Sequence, residues 1–200
     1  MPKIAVIYYS STGNVHQLAA ALAQGAEETG AEVRLRRVPE LAPAEAIAAN
    51  PLWQAHVDET AGEVQEATPA DLEWADGYAL GSPTRFGTPA AQMKQFIDQL
   101  GGLWATGKLA DKGATAFTSA GNVHGGNEST ILTFFNVFSH FGAVIVPPGY
   151  TDPLLFEAGG NPYGISTASG GKSATAGEAE LAAARYQGRR LAEVTAKLVA

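Results

Sequence analysis

Three stretches rich in Gly, Ser, Thr and Asn hold the residues whose types and spacing could do chemistry. The first is Ser10, Ser11, Thr12, Gly13 and Asn14, placed between an apolar run and an alanine-rich helical pattern. The first amides of a helix have no partner within it, and the macrodipole makes that end partly positive. A phosphate can be held there without Lys or Arg, with the short side chains adding donors and Gly13 permitting close backbone approach. With no basic residue, the loop suits a phosphate monoester rather than a nucleoside triphosphate, which needs a Lys and a magnesium ligand. The same residues also suit an ordinary strand-to-helix turn with a Ser or Thr cap.

The second stretch is Pro83, Thr84, Arg85, Phe86 and Gly87, closed by Pro89. The prolines restrict the backbone, so the amides between them can face one fixed direction. The polar edge of a flavin ring needs such fixed donors and acceptors, and its faces need apolar walls. A rigid turn with Phe86 in the core and Arg85 in solvent is the other reading. The third stretch is Ser119, Ala120, Gly121, Asn122, Val123, His124, Gly125 and Gly126, flexible enough to wrap a ring and a polyhydroxyl chain. His124 is a candidate catalytic histidine or a solvated loop residue. His140, near the end of an amphipathic run, reads as a capping or core residue. The four histidines show no ligand spacing, and no HExxH or paired-carboxylate motif accompanies them, so no metal is expected. Gly170, Gly171, Lys172 and Ser173 imitate the end of a P-loop. Ser166 stands where its first glycine should be, and no strand precedes it.

The elements that must position these loops alternate between strand and helix patterns. Strands are expected at 3–9, 32–38, 76–82, 114–119 and 143–146. Helices are expected at 15–23, 69–75, from 90 to a stop at Gly101 and Gly102, at 128–141 and at 178–199. Residues 40–68 read as a short helix and a mobile acidic connection, and 149–177 as a long Gly/Ser/Thr/Pro stretch. Such alternation means βαβ units. The expected fold is a flavodoxin-like three-layer α/β sandwich in one domain over 1–200, with a five-stranded parallel sheet in the order 2-1-3-4-5. Ligands bind such sheets at the carboxyl ends of the strands, and there the three loops fall. Trp104, after Gly101, Gly102 and Leu103, could wall a cleft.

Composition narrows the function classes. A net charge of -7 argues against a nucleic-acid partner, which needs clustered Lys and Arg. With 0 Cys the chain has no thiol nucleophile, disulfide or iron–sulfur ligand. No apolar run approaches the roughly 18 residues that cross a bilayer, and none resembles a signal-peptide core. A cytoplasmic protein without membrane insertion is expected.

Several motifs together resemble the WrbA family of FMN-dependent NAD(P)H:quinone oxidoreductases. They are SSTGN at 10–14, GSPTRFG at 81–87, GGLWA at 101–105, HGGNE at 124–128, VIVP at 144–147 followed by Gly149 and Tyr150, and ARYQG at 184–188. The resemblance covers essentially the whole chain. It implies non-covalent FMN, a homotetramer, and ping-pong transfer of a hydride from NAD(P)H through flavin N5 to a quinone. It assigns Ser10, Ser11, Thr12, Gly13, Asn14 and Val15 to the phosphate. Pro83, Thr84, Arg85, Phe86 and Gly87 fall to the ring edge; Ser119, Ala120, Gly121, Asn122, Val123 and Gly125 fall to the ring and ribityl side. Trp104 falls beside the substrate and His140 at the flavin pocket, across a subunit boundary. His140 or His124 would then donate a proton to, or orient, the hydroquinone oxygen. Thr12 departs from members that carry an aromatic residue there. A one-electron carrier and a flavin-binding accessory protein are the competing classes. The lack of a basic cluster that would mark a 2′-phosphate pocket leans toward NADH over NADPH.

Overall fold

The computed structural model describes residues 1–170 and 176–200. Lys172 and Ser173, on which the P-loop comparison turns, lie outside them. The first strand, β1 (Lys3–Tyr8), is buried along almost its whole length. Its side chains alternate between two cores, as period 2 requires of a strand covered on both faces. Ile4, Val6 and Tyr8 join one cluster with α1 (Asn14–Glu27) and α9 (Glu178–Leu198); Ala5 and Ile7 join the other, which includes Met93, Phe96, Phe134 and Phe138. The near-continuous apolar run at the start of the chain is the signature of this central, two-sided position.

β2 (Glu32–Arg37) lies at the sheet edge, parallel to β1, with Val33 and Leu35 packed inward. On its other face Arg34 and Arg36 meet the buried Asp71 at 3.3 and 3.1 Å, and the Arg34 guanidinium lies 4.0 Å over the Trp74 ring. Asp71 also closes the capping box of α4 (Pro69–Trp74), accepting from the Thr68 amide and hydroxyl, both at 3.0 Å. The helix expected at 69–75, with Thr68 as cap and Pro69 first, is therefore present.

β3 (Gly77–Arg85) and β5 (Gly113–Ala120) continue the parallel sheet, which runs β2-β1-β3-β5-β6, with β6 at Val144–Ile145. In order of parallel strands this is the expected 2-1-3-4-5. Its fifth position is split. β6 pairs the start of β5, and β7 (Ser166–Ala168) pairs its end at Thr118–Ala120. Pro147 and Pro148 have no amide for the ladder, so the chain leaves the sheet, forms α8 (Leu154–Glu157) and returns.

The structure corrects four local readings. Residues 40–68 form two helices, α2 (Ala44–Ala48) and α3 (Pro51–Ala61), the latter capped by Asn50. The stretch 83–89 is a hairpin, since β3 runs on to Arg85 and pairs antiparallel with β4 (Thr88–Pro89). α5 (Ala91–Asp98) ends before Gly101 and Gly102, which open α6 (Gly101–Ala105) rather than stop a helix. The stretch 149–177 contains α8 and β7, each too short to show a period.

α1 and α9 cross backbone to backbone at Gly25 and Gly188. A Cβ on Gly188 would sit 1.9 Å from the Leu22 carbonyl oxygen, and one on Gly25 1.9 Å from that of Arg185. Gln187, next to this crossing, donates to Thr115 Oγ1 at 2.7 Å and to the Ala116 carbonyl at 2.9 Å, and accepts from the Ile165 amide at 2.7 Å. Gly188→Ala must push the helices apart. It should lower stability by about 2 kcal/mol or more, read as a melting point about 4–8 °C lower by calorimetry.

α3 docks beside α1 through His56, whose ring centroid lies 5.5 Å from that of His16. The Tyr8 hydroxyl in turn bonds His16 Nδ1 at 2.6 Å. Burial holds the His56 pKa down at about 4, with His16 and Arg37 adding to the depression and Glu59 opposing it. Because the unfolded imidazole titrates near 6.5, the unfolded chain takes up this proton first as pH falls. The stability tied to neutral His56 is thus complete above about pH 6.5 and lost progressively toward pH 4. Urea midpoints across that range should fall more steeply for the parent than for His56→Gln; equal slopes would exclude the effect.

Candidate active site

The loops after β1, β3 and β5 meet at the carboxyl edge of the sheet around a cleft of about 200 Å³. Ser11, Thr12 and Asn14 line it from the first loop, Pro83, Thr84 and Arg85 from the hairpin, and Ser119, Ala120 and Gly121 from the end of β5. The three stretches singled out in the sequence therefore form one site.

The first loop is built to leave helix amides open. Gly13 is left-handed at φ 98, and its amide donates to Ser10 Oγ at 3.0 Å, so the chain turns into α1 without a side-chain cap. The amides at the start of α1 precede the first intrahelical bond and remain donors. Val15 contributes only its backbone here, since its side chain belongs to the core. Asn14 is buried, and its Oδ1 has no hydrogen-bond partner among the described residues. Buried side-chain amides are rarely left so. Oδ1 only accepts, so it suits a donor such as a ribityl hydroxyl; the open helix amides and short hydroxyls, in a loop with no basic residue, fit the phosphate of FMN.

The hairpin is pinned from three sides. The Ser82 hydroxyl donates to the Pro83 carbonyl and accepts from the Ala90 amide, while Thr118 Oγ1 donates to the Ser82 carbonyl at 2.7 Å. Thr130 on α7 (Asn127–Phe141) donates to Thr84 Oγ1 at 2.8 Å, and the Gly87 amide donates to the same oxygen. Phe86 takes φ 54 and is fully exposed, so the core alternative does not hold. A bulky residue in that conformation is strained by about 1–3 kcal/mol and persists where its surroundings fix it. Arg85 crosses the cleft mouth, donating to Ser11 Oγ at 3.3 Å.

Other expected residues lie elsewhere. Asn122 and His124 are exposed, and Val123 lines a separate cleft with Glu128, Glu157 and Glu180. Gly125 sits inside the loop, its amide donating to the Asn122 carbonyl. Trp104, 56% exposed, donates its indole N–H to the His140 carbonyl at 2.9 Å. His140 is in the last turn of α7, about 20 Å along the helix from Asn127 at the site end. The structure thus brings Trp104 and His140 together, away from the cleft of their own chain. Ser169 lines the cleft and was not singled out, because three residues of β7 give no readable pattern. Among the described residues no group of three or more His, Asp or Glu is arranged to hold a metal, and no helix is long and apolar enough to cross a membrane.

Residues 2–152 match the family model described as NADPH-dependent FMN reductase. Two curated relatives are both named NAD(P)H dehydrogenase (quinone). The one from Deinococcus radiodurans is 49% identical, covering 98% of this chain and 97% of its own; that from Rhizobium rhizogenes is 44% identical over the full length of both. Among solved structures, a flavodoxin, WrbA-like protein from Agrobacterium tumefaciens superposes with TM-score 0.69 at 23% identity, covering 98% of this chain and 99% of its own. Flavodoxin 1 from Bacillus cereus superposes with TM-score 0.61 at 16% identity, covering 96% and 97%. These two share the fold. The chain belongs to the NADPH-dependent FMN reductase family and has the flavodoxin-like architecture that its WrbA-like motifs implied.

Proposed function

We propose that this chain is an FMN-dependent NAD(P)H:quinone oxidoreductase. The observation that carries the reading is the meeting of three loops at one cleft, with open helix amides and a first loop that holds no basic residue, in a chain whose full-length relatives bear the name NAD(P)H dehydrogenase (quinone). Bound FMN would supply the redox chemistry, accepting a hydride from NAD(P)H and passing it on to a quinone in ping-pong fashion.

The protein's own part is binding, orientation and exclusion of water. Ser10, Ser11, Thr12, Asn14 and the amides of Asn14 and Val15 hold the phosphate, with Gly13 turning the chain so that they face it. The backbone of Thr84, Arg85 and Phe86 meets the ring edge, with the hairpin's side-chain bonds and the Gly87 amide on Thr84 Oγ1 fixing its direction. Ser119, Ala120 and Gly121, which line the cleft, flank the ribityl chain and the ring. Arg85, bonded to Ser11 across the mouth, must swing aside for the flavin to seat.

Trp104 and His140 enter this scheme only from a neighbouring copy, as in the homotetramer that the WrbA resemblance implies. Supplied in that way, Trp104 walls the substrate face and His140 holds a proton for the reduced quinone oxygen, a task that His124 could share from the loop. The setting is cytoplasmic, and the lack of a basic cluster for a 2′-phosphate leans toward NADH.

Anaerobic NADH should bleach the oxidised-flavin band of the FMN-loaded protein, and benzoquinone should restore it fully. Tight FMN binding with no bleaching by either nicotinamide nucleotide would favour a carrier or accessory role. Gly13→Ala places a side chain at φ 98 and should weaken FMN binding about fivefold to tenfold by fluorescence titration. His140→Ala should keep its FMN and slow quinone turnover at least about tenfold. Unchanged turnover in both His140→Ala and His124→Ala would remove the proton-transfer role.

A further inference from the structure

Behind the first loop, away from the cleft, a single carboxylate gathers five donors. Glu40 Oε2 accepts from the Tyr9 hydroxyl and from Trp53 Nε1, both at 2.9 Å. Its Oε1 accepts from Gln92 Nε2 at 2.6 Å and from the amides of Leu41 and Ala42 at 2.8 and 2.9 Å. Gln92 also donates to the Tyr9 oxygen at 3.0 Å. Burial works to raise the carboxyl's pKa, yet these bonds hold it below the ordinary value, so the group is an anion at neutral pH.

The donors come from parts of the chain that otherwise only approach one another. Tyr9 is the residue before Ser10, and its own amide donates to the Gly81 carbonyl at 2.9 Å. Trp53 belongs to α3 and Gln92 to α5. α3 also carries His56, whose Nδ1 lies 3.7 Å from where a Cβ on Gly13 would stand. Between strand exit and helix sits a cavity of about 30 Å³, lined by Tyr9, Ser10, Glu40, His56 and Thr60, among others. Glu40 therefore fixes both walls of the space behind Ser10 and Gly13 without lining the cleft in front of them.

We propose that Glu40 is a positioning residue for the flavin phosphate, holding Tyr9 and α3 so that the Ser10–Gly13 turn is set before the ligand arrives. This rests on the FMN reading of the cleft. A loop set in advance loses less conformational freedom on binding, and that gain is read in affinity and in release rate. A glutamine at 40 cannot replace the anion. Its NH2 must face donors on one side or the other, and the Trp53 N–H and the two backbone amides cannot turn round to accept.

The test measures FMN binding to apoprotein by fluorescence quenching, with release followed by stopped flow. Glu40→Gln should raise the FMN Kd about tenfold or more, through faster release, while kcat at saturating FMN stays within about twofold of the parent. Tyr9→Phe keeps the ring, removes only the hydroxyl that links Glu40 to the loop, and should raise Kd about threefold to tenfold even if Glu40→Gln fails to fold. Trp53→Phe should weaken FMN binding in the parent but add nothing in the Glu40→Gln background, because the two substitutions break one network. An FMN Kd within twofold of the parent in Tyr9→Phe and in folded Glu40→Gln would overturn the proposal, as would a kcat that falls with the affinity. A parent that binds no FMN would instead remove the function on which this inference rests.

Discussion

Five residues take the chain from β1 into α1, and that passage constrains the rest of the structure. A central parallel strand must deliver its last residue at the sheet's carboxyl edge, and the next helix must turn back at once to cover one face. The turn succeeds because Gly13 adopts a left-handed conformation and Ser10 takes up its amide. The helix then begins with donors that no side-chain cap satisfies among the described residues. An apoprotein tolerates such donors at a solvated cleft; deep in the core they would each be expensive. The proposed phosphate site and the chain's route through the fold are thus one feature.

Keeping that helix in place requires contacts far from the loop. Gly25 and Gly188 let α1 and α9 touch through their backbones, which fixes the height of α1 over the sheet. Gln187 adds three hydrogen bonds to β5 and to the residue just before β7, so α9 also sets where the third loop begins. On the other face Phe134 and Phe138 of α7 pack in the second core, with Phe138 edge-on to Tyr78 of β3 at 5.7 Å. The two layers of helices thereby lock the same central strands from opposite sides. Their loops have little freedom left at the edge where they meet.

Much of this was legible in the sequence because the signals were long or chemically sharp. β1 announced itself by six apolar or half-apolar residues ended by hydroxyls, and α7 by a helical period closed at Gly142. The strand order followed from the count of βαβ units. What escaped has a physical reason in each case. α2 and α3 hold few buried side chains, so 40–61 shows no apolar stripe. β7 has three residues and borrows its ladder from β5, which no local pattern can reveal. Gly101 and Gly102 read as a stop because glycine commonly ends helices, yet both sit exposed at the start of α6, where nothing crowds them. Ser169 and Glu40 act through partners distant in sequence, and such pairings appear only once the sheet is assembled.

The sign of the charge at the cleft bears on what the protein can hold and release. A chain of net charge -7 that binds a dianionic phosphate through lysines would bind it strongly and in a salt-dependent way. In the proposed site the donors are amides, hydroxyls and one side-chain amide, with Arg85 at the mouth already bonded to Ser11 and Thr84. Neutral donors discriminate by geometry rather than by charge, since each bond exists only within a narrow range of distance and angle. Recognition then depends on how firmly the donors are held. That is why the bonds behind the loop, at Tyr9, Glu40, Trp53 and Gln92, matter as much to the site as the residues that face the cleft.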